Sequence, residues 1–157
     1  EFRKHGNYIV RKCSQPKGET KDEQKTNAIA EYNRGIIDLN NGDQIIFDRF
    51  LLGEAVYSPI FRGYKSEDDI RTLEEKIGAN TLLVVMTADV KLLEERYDGI
   101  FIRPEHIPRL VASYHEQFNL SCMKRKMMLT VDELGRPYTP EELYNIVIEF
   151  DRQTQPR

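Results

Sequence analysis

The run from Thr81 to Thr87, T-L-L-V-V-M-T, constrains the fold more than any other stretch. Its apolar core, Leu82 to Met86, is the longest such run in the chain and far short of a membrane span. Continuous apolar character without alternation is what a central strand of a parallel sheet shows, because both its faces are covered. Parallel neighbours are joined only by crossovers, usually helices. The rest of the chain should therefore alternate strand and helix, and it does.

Asn7 to Cys13, N-Y-I-V-R-K-C, is a short β-rich run. Gly6 before it suits the residue just past a helix ending at His5. Ser14 to Thr20 is a polar loop. Lys21 to Leu39 is helical, with Ile29, Tyr32, Ile36 and Leu39 at spacings of three and four. Asn40-Asn41-Gly42-Asp43 stops it. Gln44 to Phe47, Q-I-I-F, is a strand that runs straight into Asp48-Arg49. A helix starts near Leu51. Another opens at Ser66, its N-cap, buries Ile70, Leu73 and Ile77, and ends at Gly78. Ala88 to Tyr97 is helical up to Asp98-Gly99. Pro104 suits the first turn of a helix that buries Ile107, Leu110, Val111, Tyr114 and Phe118. Met127 to Val131 is the last strand, and Gly135-Arg136-Pro137 turns the chain. Thr139-Pro140-Glu141-Glu142 is a capping box opening a final helix with Leu143, Ile146, Val147 and Phe150 on its buried face.

Composition narrows the partners. The chain has 157 residues, enough for one domain with its own core. With 26 acidic and 23 basic residues its net charge is −3, so a generic nucleic-acid polymer binder is excluded. A phosphate ligand must be held by a few placed cations. The two cysteines, Cys13 and Cys122, form no C-x-x-C pair, so a disulfide framework and a zinc ribbon are not expected. His5, His106 and His115 have no metal-ligand spacing. No apolar h-region occurs at Glu1 to Gly6, and a reducing, cytoplasmic setting is expected. Lys124-Arg125-Lys126 reads as a solvated edge, with nucleotide contact as the alternative.

In parallel α/β sheets ligands bind at the carboxyl ends of the strands. Chemistry should lie after Cys13, Phe47 and Thr87. Asp48-Arg49 is the sharpest such feature. A carboxylate there can hold magnesium through water, and the arginine offers a fork of donors that fits phosphate.

The string Asp48-Arg49-Phe50-Leu51-Leu52-Gly53-Glu54-Ala55-Val56-Tyr57 resembles the D-R-[YHF]-x-x-S-x-x-A-Y signature of thymidylate kinases. Ser14 to Thr20 lies where that family carries T-R-E-P-G-G-T. Asp89 to Arg103 resembles its strand–helix–lid segment. Val56-Tyr57-Ser58-Pro59-Ile60-Phe61-Arg62 is similar to the shorter phage-like and archaeal-like branch.

The resemblance implies an α/β fold, a three-layer P-loop kinase-type parallel sheet with helices on both faces. It also implies ATP-dependent phosphoryl transfer to a deoxynucleoside monophosphate, with ATP and magnesium as cofactors. Asp48 would sit near the magnesium. Arg49 would bind the acceptor phosphate and stabilise the transferring group, helped by Arg96 and Arg103 from a lid near residues 94–104. Gln15, Pro16 and Lys17 would form the substrate loop, with Lys17 supplying the charge where the family has arginine. Phe50 would pack beside the nucleoside or in the core. Tyr57 would lie under the sugar, or be a core tyrosine. Arg62 would face a phosphate or lie in a solvated patch with Lys65. Ser58 replaces a base-contacting glutamine, which leaves the base preference open.

No G-x-x-x-x-G-K-[ST] loop occurs in the chain. The expectation is one N-terminally truncated kinase domain over 1–157, lacking the first strand and the phosphate loop. That strand would lie between those ending at Phe47 and Thr87, and both would lack a hydrogen-bonding neighbour. Such a chain should bind ATP poorly and turn over negligibly. Two alternatives stand beside this one. A deoxynucleoside kinase would use an acidic residue after the strand ending near Cys13, for which Glu19 is the candidate. A non-catalytic kinase-fold protein would act in binding or assembly, as a homodimer.

Overall fold

The computed structural model describes residues 8–42, 44–99, 102–131 and 137–155. The proposed helix end at His5, the start of the first strand at Asn7, and Asp43, Gly135 and Arg136 of the turns lie outside the described residues. So does the centre of the proposed lid, Ile100 and Phe101.

Strand β1 is Ile9–Lys12, helix α1 Lys21–Asn40 and strand β2 Ile45–Asp48. Helix α2, Leu51–Tyr57, runs into a π-helical turn, Ser58–Arg62, and then helix α3, Glu67–Ile77. Strand β3 is Leu82–Thr87 and helix α4 Val90–Glu95. A 3-10 turn, Pro104–His106, leads into helix α5, Ile107–Leu120. Strand β4, Arg125–Thr130, and helix α6, Pro140–Thr154, complete the order. This is the mixed α/β architecture with parallel strands that the sequence implies.

Capping explains where two helices begin. In α1 the Thr20 hydroxyl accepts from the Glu23 amide at 3.2 Å, and the Glu23 carboxylate accepts from the Thr20 amide at 3.1 Å. Thr139 and Glu142 repeat the box at α6. Ser66 departs from its expected capping role. It is the N-cap of α3, yet its hydroxyl makes no cap bond. It is buried instead between the Ser58 hydroxyl at 2.7 Å and the Glu54 carbonyl at 3.4 Å.

The four strands form two separate parallel pairs. β1 pairs with β2 from Ile9 opposite Ile45 to Lys12 opposite Asp48. β3 pairs with β4 from Leu82 opposite Arg125 to Thr87 opposite Thr130. Among the described residues no strand pairing joins the two. The helices bridge them. α3 packs against α1 and α2, and α2 packs against α5. Tyr32 and Ile36 of α1, Leu51 and Ala55 of α2, and Ile70, Leu73 and Ile77 of α3 form one buried cluster. Phe47 of β2 and Leu83 of β3 both pack onto it.

Helices lie on both faces of β4. Lys126 donates to the carbonyls of Phe118, Asn119 and Ser121 at the end of α5. Its neighbour Arg125 pairs with Asp151 of α6 at 2.7 Å. Adjacent strand residues point to opposite faces, so α5 and α6 cover opposite sides. Arg125 and Lys126 are therefore half-buried clamps and not a solvated edge.

β3 corrects one expectation. It reads as a strand buried on both faces, but its residues are mostly half-exposed and Met86 is 58% exposed. The cause is local: among the described residues β3 has a partner along one edge only. The apolar face of α6 is likewise half-exposed, with no fully buried residue.

Candidate functional site

The carboxyl ends of β1 and β2 lie side by side. The ladder continues one step beyond β1, with the Cys13 amide donating to the Asp48 carbonyl at 3.1 Å. The loop after β1 and the Asp48-Arg49 pair thus leave the sheet together. Arg49 has φ 61° and is the one left-handed non-glycine among the described residues. Holding such a backbone costs about 1–3 kcal/mol and needs support from both sides. Phe47 and Phe50 supply it. Their rings stack at 3.9 Å with 12° between planes, closing the chain over Asp48 and Arg49. Phe50 also meets the Tyr32 ring edge-on at 5.3 Å. Its ring packs onto the core, and the Asp48 and Arg49 side chains are exposed.

Residues of the loop after β1 line an open cavity of about 740 Å³. Gln15, Pro16 and Lys17 form one wall, and Asn27, Glu31 and Arg34 of α1 form another. The loop is tied down by Asn27, which donates to the Lys17 carbonyl at 2.7 Å. The Ser14 amide reaches the Glu31 carboxylate at 3.4 Å. Cys13 is buried at the root of this loop. Burial, then the nearby Glu31 charge, pushes its thiol up to about 11.

Tyr57 stands at the far end of α2 in an aromatic group. Its ring is 5.6 Å from Phe61 and 6.3 Å from Tyr114, and Phe61 meets His106 at 5.3 Å. Burial, then the neighbouring Tyr57 hydroxyl, pushes Tyr114 up, and the Arg49 charge draws it back.

Arg62 lies with its guanidinium on Glu54, which is 2% exposed. The same carboxylate accepts from Tyr32 at 3.0 Å and from Tyr64 at 2.7 Å. Burial opposes the charge on Arg62, but the Glu54 hydrogen bond and charge outweigh it and raise its pKa. Burial, then the Glu54 hydrogen bond, pushes Tyr64 up to about 12. Arg96 caps the end of α4 and is exposed. Arg103 is also exposed, with Glu105 at 3.7 Å.

The structure thus groups Asp48, Arg49 and Phe50 at one strand end and Gln15, Pro16 and Lys17 at its neighbour. Tyr57 lies one helix away, near Arg49 through Tyr114. Arg62 is turned into the Glu54 network, and Arg96 and Arg103 lie on the segment around the proposed lid. Sequence reading missed Glu54, Tyr114 and Arg34. Glu54 lies inside the quoted motif, and its i, i+8 spacing to Arg62 was the available signal. Tyr114 had been assigned only to a helix stripe.

No family model matches the chain, and no curated protein does. Among solved structures, YorR of Bacillus subtilis in complex with phosphorylated GDP is similar, with a TM-score of 0.70. The match covers 95% of this chain and 85% of YorR at 19% sequence identity. The chain has the fold of a nucleotide-bound protein. At that identity the likeness concerns the fold alone.

Proposed function

We propose that the chain acts as a nucleoside monophosphate kinase of thymidylate-kinase type, with the acceptor site and lid on the residues described above. Its reaction moves the γ-phosphoryl group of ATP to a deoxynucleoside monophosphate. The observation that carries this reading is the Asp48-Arg49 turn, held in a left-handed conformation beside the loop of Gln15, Pro16 and Lys17. A strained, exposed arginine at a strand end, braced by stacked rings, is arranged for a ligand more than for packing. The fold shared with a nucleotide-bound protein supports the same reading.

In this proposal Arg49 holds the acceptor phosphate with its fork of donors. Lys17 and Gln15 close the loop side, and Tyr57 and Phe50 support the nucleoside. Arg96 and Arg103 close over the moving phosphoryl group, where fixed positive charge stabilises the transition state. Arg62 holds Glu54, and through it the segment after α2. Magnesium fits at Asp48: such ions take one or two carboxylates plus substrate phosphates, retaining waters. Among the described residues no group of three or more His, Cys, Asp or Glu could hold a metal alone. The ion would neutralise phosphate charge.

The test is calorimetric titration of the chain with deoxynucleoside monophosphates and the matching nucleosides. Monophosphates should bind more tightly, and Arg49→Ala should weaken them by about ten- to hundred-fold, as expected for a charge-assisted contact. Equal binding of nucleosides would favour the deoxynucleoside kinase reading. Unchanged affinity in Arg49→Ala would sink the proposed role of this turn.

A further inference from the structure

Arg49, Gly53, Tyr57 and Phe61 follow one another at intervals of four, starting from the Asp48-Arg49 turn. On a helix such positions share one stripe, with about 6 Å of rise between them. Tyr57 and Phe61 keep to it, with ring centroids 5.6 Å apart. α5 packs against α2 and brings Tyr114 to the same stripe. Its ring lies 6.3 Å from Tyr57, and its hydroxyl feels the Arg49 charge.

The π-helical turn sorts its side chains onto two faces. The Gly63 amide bonds back to the Ser58 carbonyl at 2.9 Å, and Gly63 closes the turn with φ 70°. Ser58 and Arg62 face inward. Ser58 is fully buried on the Ser66 hydroxyl, and the Arg62 guanidinium is held on Glu54. Phe61 faces outward and is 42% exposed. The His106 ring meets it edge-on at 5.3 Å, a contact that fixes the plane of the ring. His106 ends the 3-10 turn that follows Arg103, so this contact comes from beside the proposed lid. Single π-helical turns gather at functional sites. An open ring braced by two others, on the stripe of an exposed arginine, is built as a surface for a ligand.

We infer that Phe61 is the platform on which the acceptor base stacks, and that the site takes deoxynucleoside monophosphates of all four bases. The inference rests on the acceptor site proposed above and names its substrate class. Arginine holds the phosphate at one end of the stripe, and a ring receives the base at the other. Every base has a π-face, so stacking tells bases apart only weakly. Strong discrimination needs fixed polar groups aimed at the edge of the base. The two polar side chains of the π turn, Ser58 and Arg62, are committed to Ser66 and Glu54 instead.

The test titrates the 157-residue chain calorimetrically with the monophosphates of deoxythymidine, deoxycytidine, deoxyadenosine and deoxyguanosine. Deoxyribose phosphate, which carries no base, is the reference. The four nucleotides should bind within about ten-fold of one another, and each about ten-fold or more tighter than the sugar phosphate. Phe61→Leu keeps apolar bulk without the ring, and should bring all four down to the sugar phosphate. Phe61→Tyr should keep them. Binding of the sugar phosphate should be unchanged in both variants and weakened in Arg49→Ala. A preference for one base above about a hundred-fold overturns the inference. So do nucleotides that bind no tighter than the sugar phosphate, or that Phe61→Leu leaves unchanged. Equal loss in Phe61→Tyr, or loss of the sugar phosphate in Phe61→Leu, reduces Phe61 to a support of the turn and overturns it too. In each of these cases sugar-phosphate binding that depends on Arg49 leaves the acceptor site standing. Failure of the sugar phosphate and all four nucleotides to bind overturns both.

Discussion

Glu54 and Glu74 are built alike and sit at opposite ends of the strands. Their exposures are 2% and 1%, and each is paired with an arginine, Arg62 or Arg71. Glu54 lies just after β2, at the carboxyl ends. Glu74 lies late in α3, ahead of β3, at the amino ends. Its carboxylate accepts from the Ser121 hydroxyl at 2.9 Å and the Cys122 amide at 3.1 Å, holding the link into β4. Glu54 gathers two phenols and an arginine from the segments around the candidate site. One carboxylate ties together the segments around the candidate site, and the other stitches a helix to a strand entry. The same physics serves two purposes, and only position separates them.

The largest test removes each carboxylate. Glu54→Ala and Glu74→Ala should each lose about 3–5 kcal/mol in urea unfolding, because an arginine is left without its partner. Their effects on monophosphate affinity should differ. In the folded protein Glu54→Ala should bind about ten-fold or more weakly, as misplaced binding groups do. Glu74→Ala should bind within about two-fold of the parent, since a change distant from a site is usually independent of it. Equal losses would erase the distinction between the two ends.

A smaller effect separates their donors. Tyr32→Phe and Ser121→Ala each delete one hydroxyl bonded to a buried carboxylate. Each should cost about 1–2 kcal/mol by the same unfolding measurement. A neutral result for Tyr32→Phe would show that Arg62 and Tyr64 hold Glu54 without it.

Alkaline pH acts on the Glu54 end through its phenols. The folded state raises Tyr64 from 10.0 to about 12, so it favours the protonated phenol. That stability is whole below pH 10 and is lost as pH climbs from 10 through about 12. Tyr64→Phe should flatten the fall of unfolding free energy over this interval. An unchanged slope would show that the folded state does not hold the Tyr64 phenol protonated.

The mildest test uses the thiols. Cys122 is exposed near Glu74, and Cys13 is buried. Iodoacetamide near pH 8 should label Cys122 first and reach Cys13 only on unfolding, followed by mass spectrometry. Both thiols are raised by burial first, so neither should react unusually fast. Early labelling of Cys13 would mean that the root of the loop after β1 opens readily.

Strand and helix alternation was legible because each element carries its own period or cap: α1, β2, α2, α3 and α5 fall close to where Tyr32, Phe47, Leu51, Ile70 and Leu110 placed them. The Asp48-Arg49 turn was legible because it interrupts an apolar strand with charge. The Glu54 network was not, since Tyr32 and Tyr64 reach it from separate elements and a buried glutamate looks like a surface one in sequence. Ser66 was misassigned for a related reason. Its hydroxyl had two buried partners to choose over the local amide, and tertiary contact won. The half-exposure of β3 follows from what lies beside it, which a strand's own residues do not record.

Gly35 holds a quiet form of control over the candidate site. A Cβ there would stand 2.9 Å from Cε1 of Phe47 and 3.3 Å from Cε2 of Phe50. Those rings clasp Asp48 and Arg49. Any heavier residue at position 35 would pry at the clasp from behind, through the core, without touching the turn itself. A change there would shift the rings that brace the Asp48-Arg49 turn.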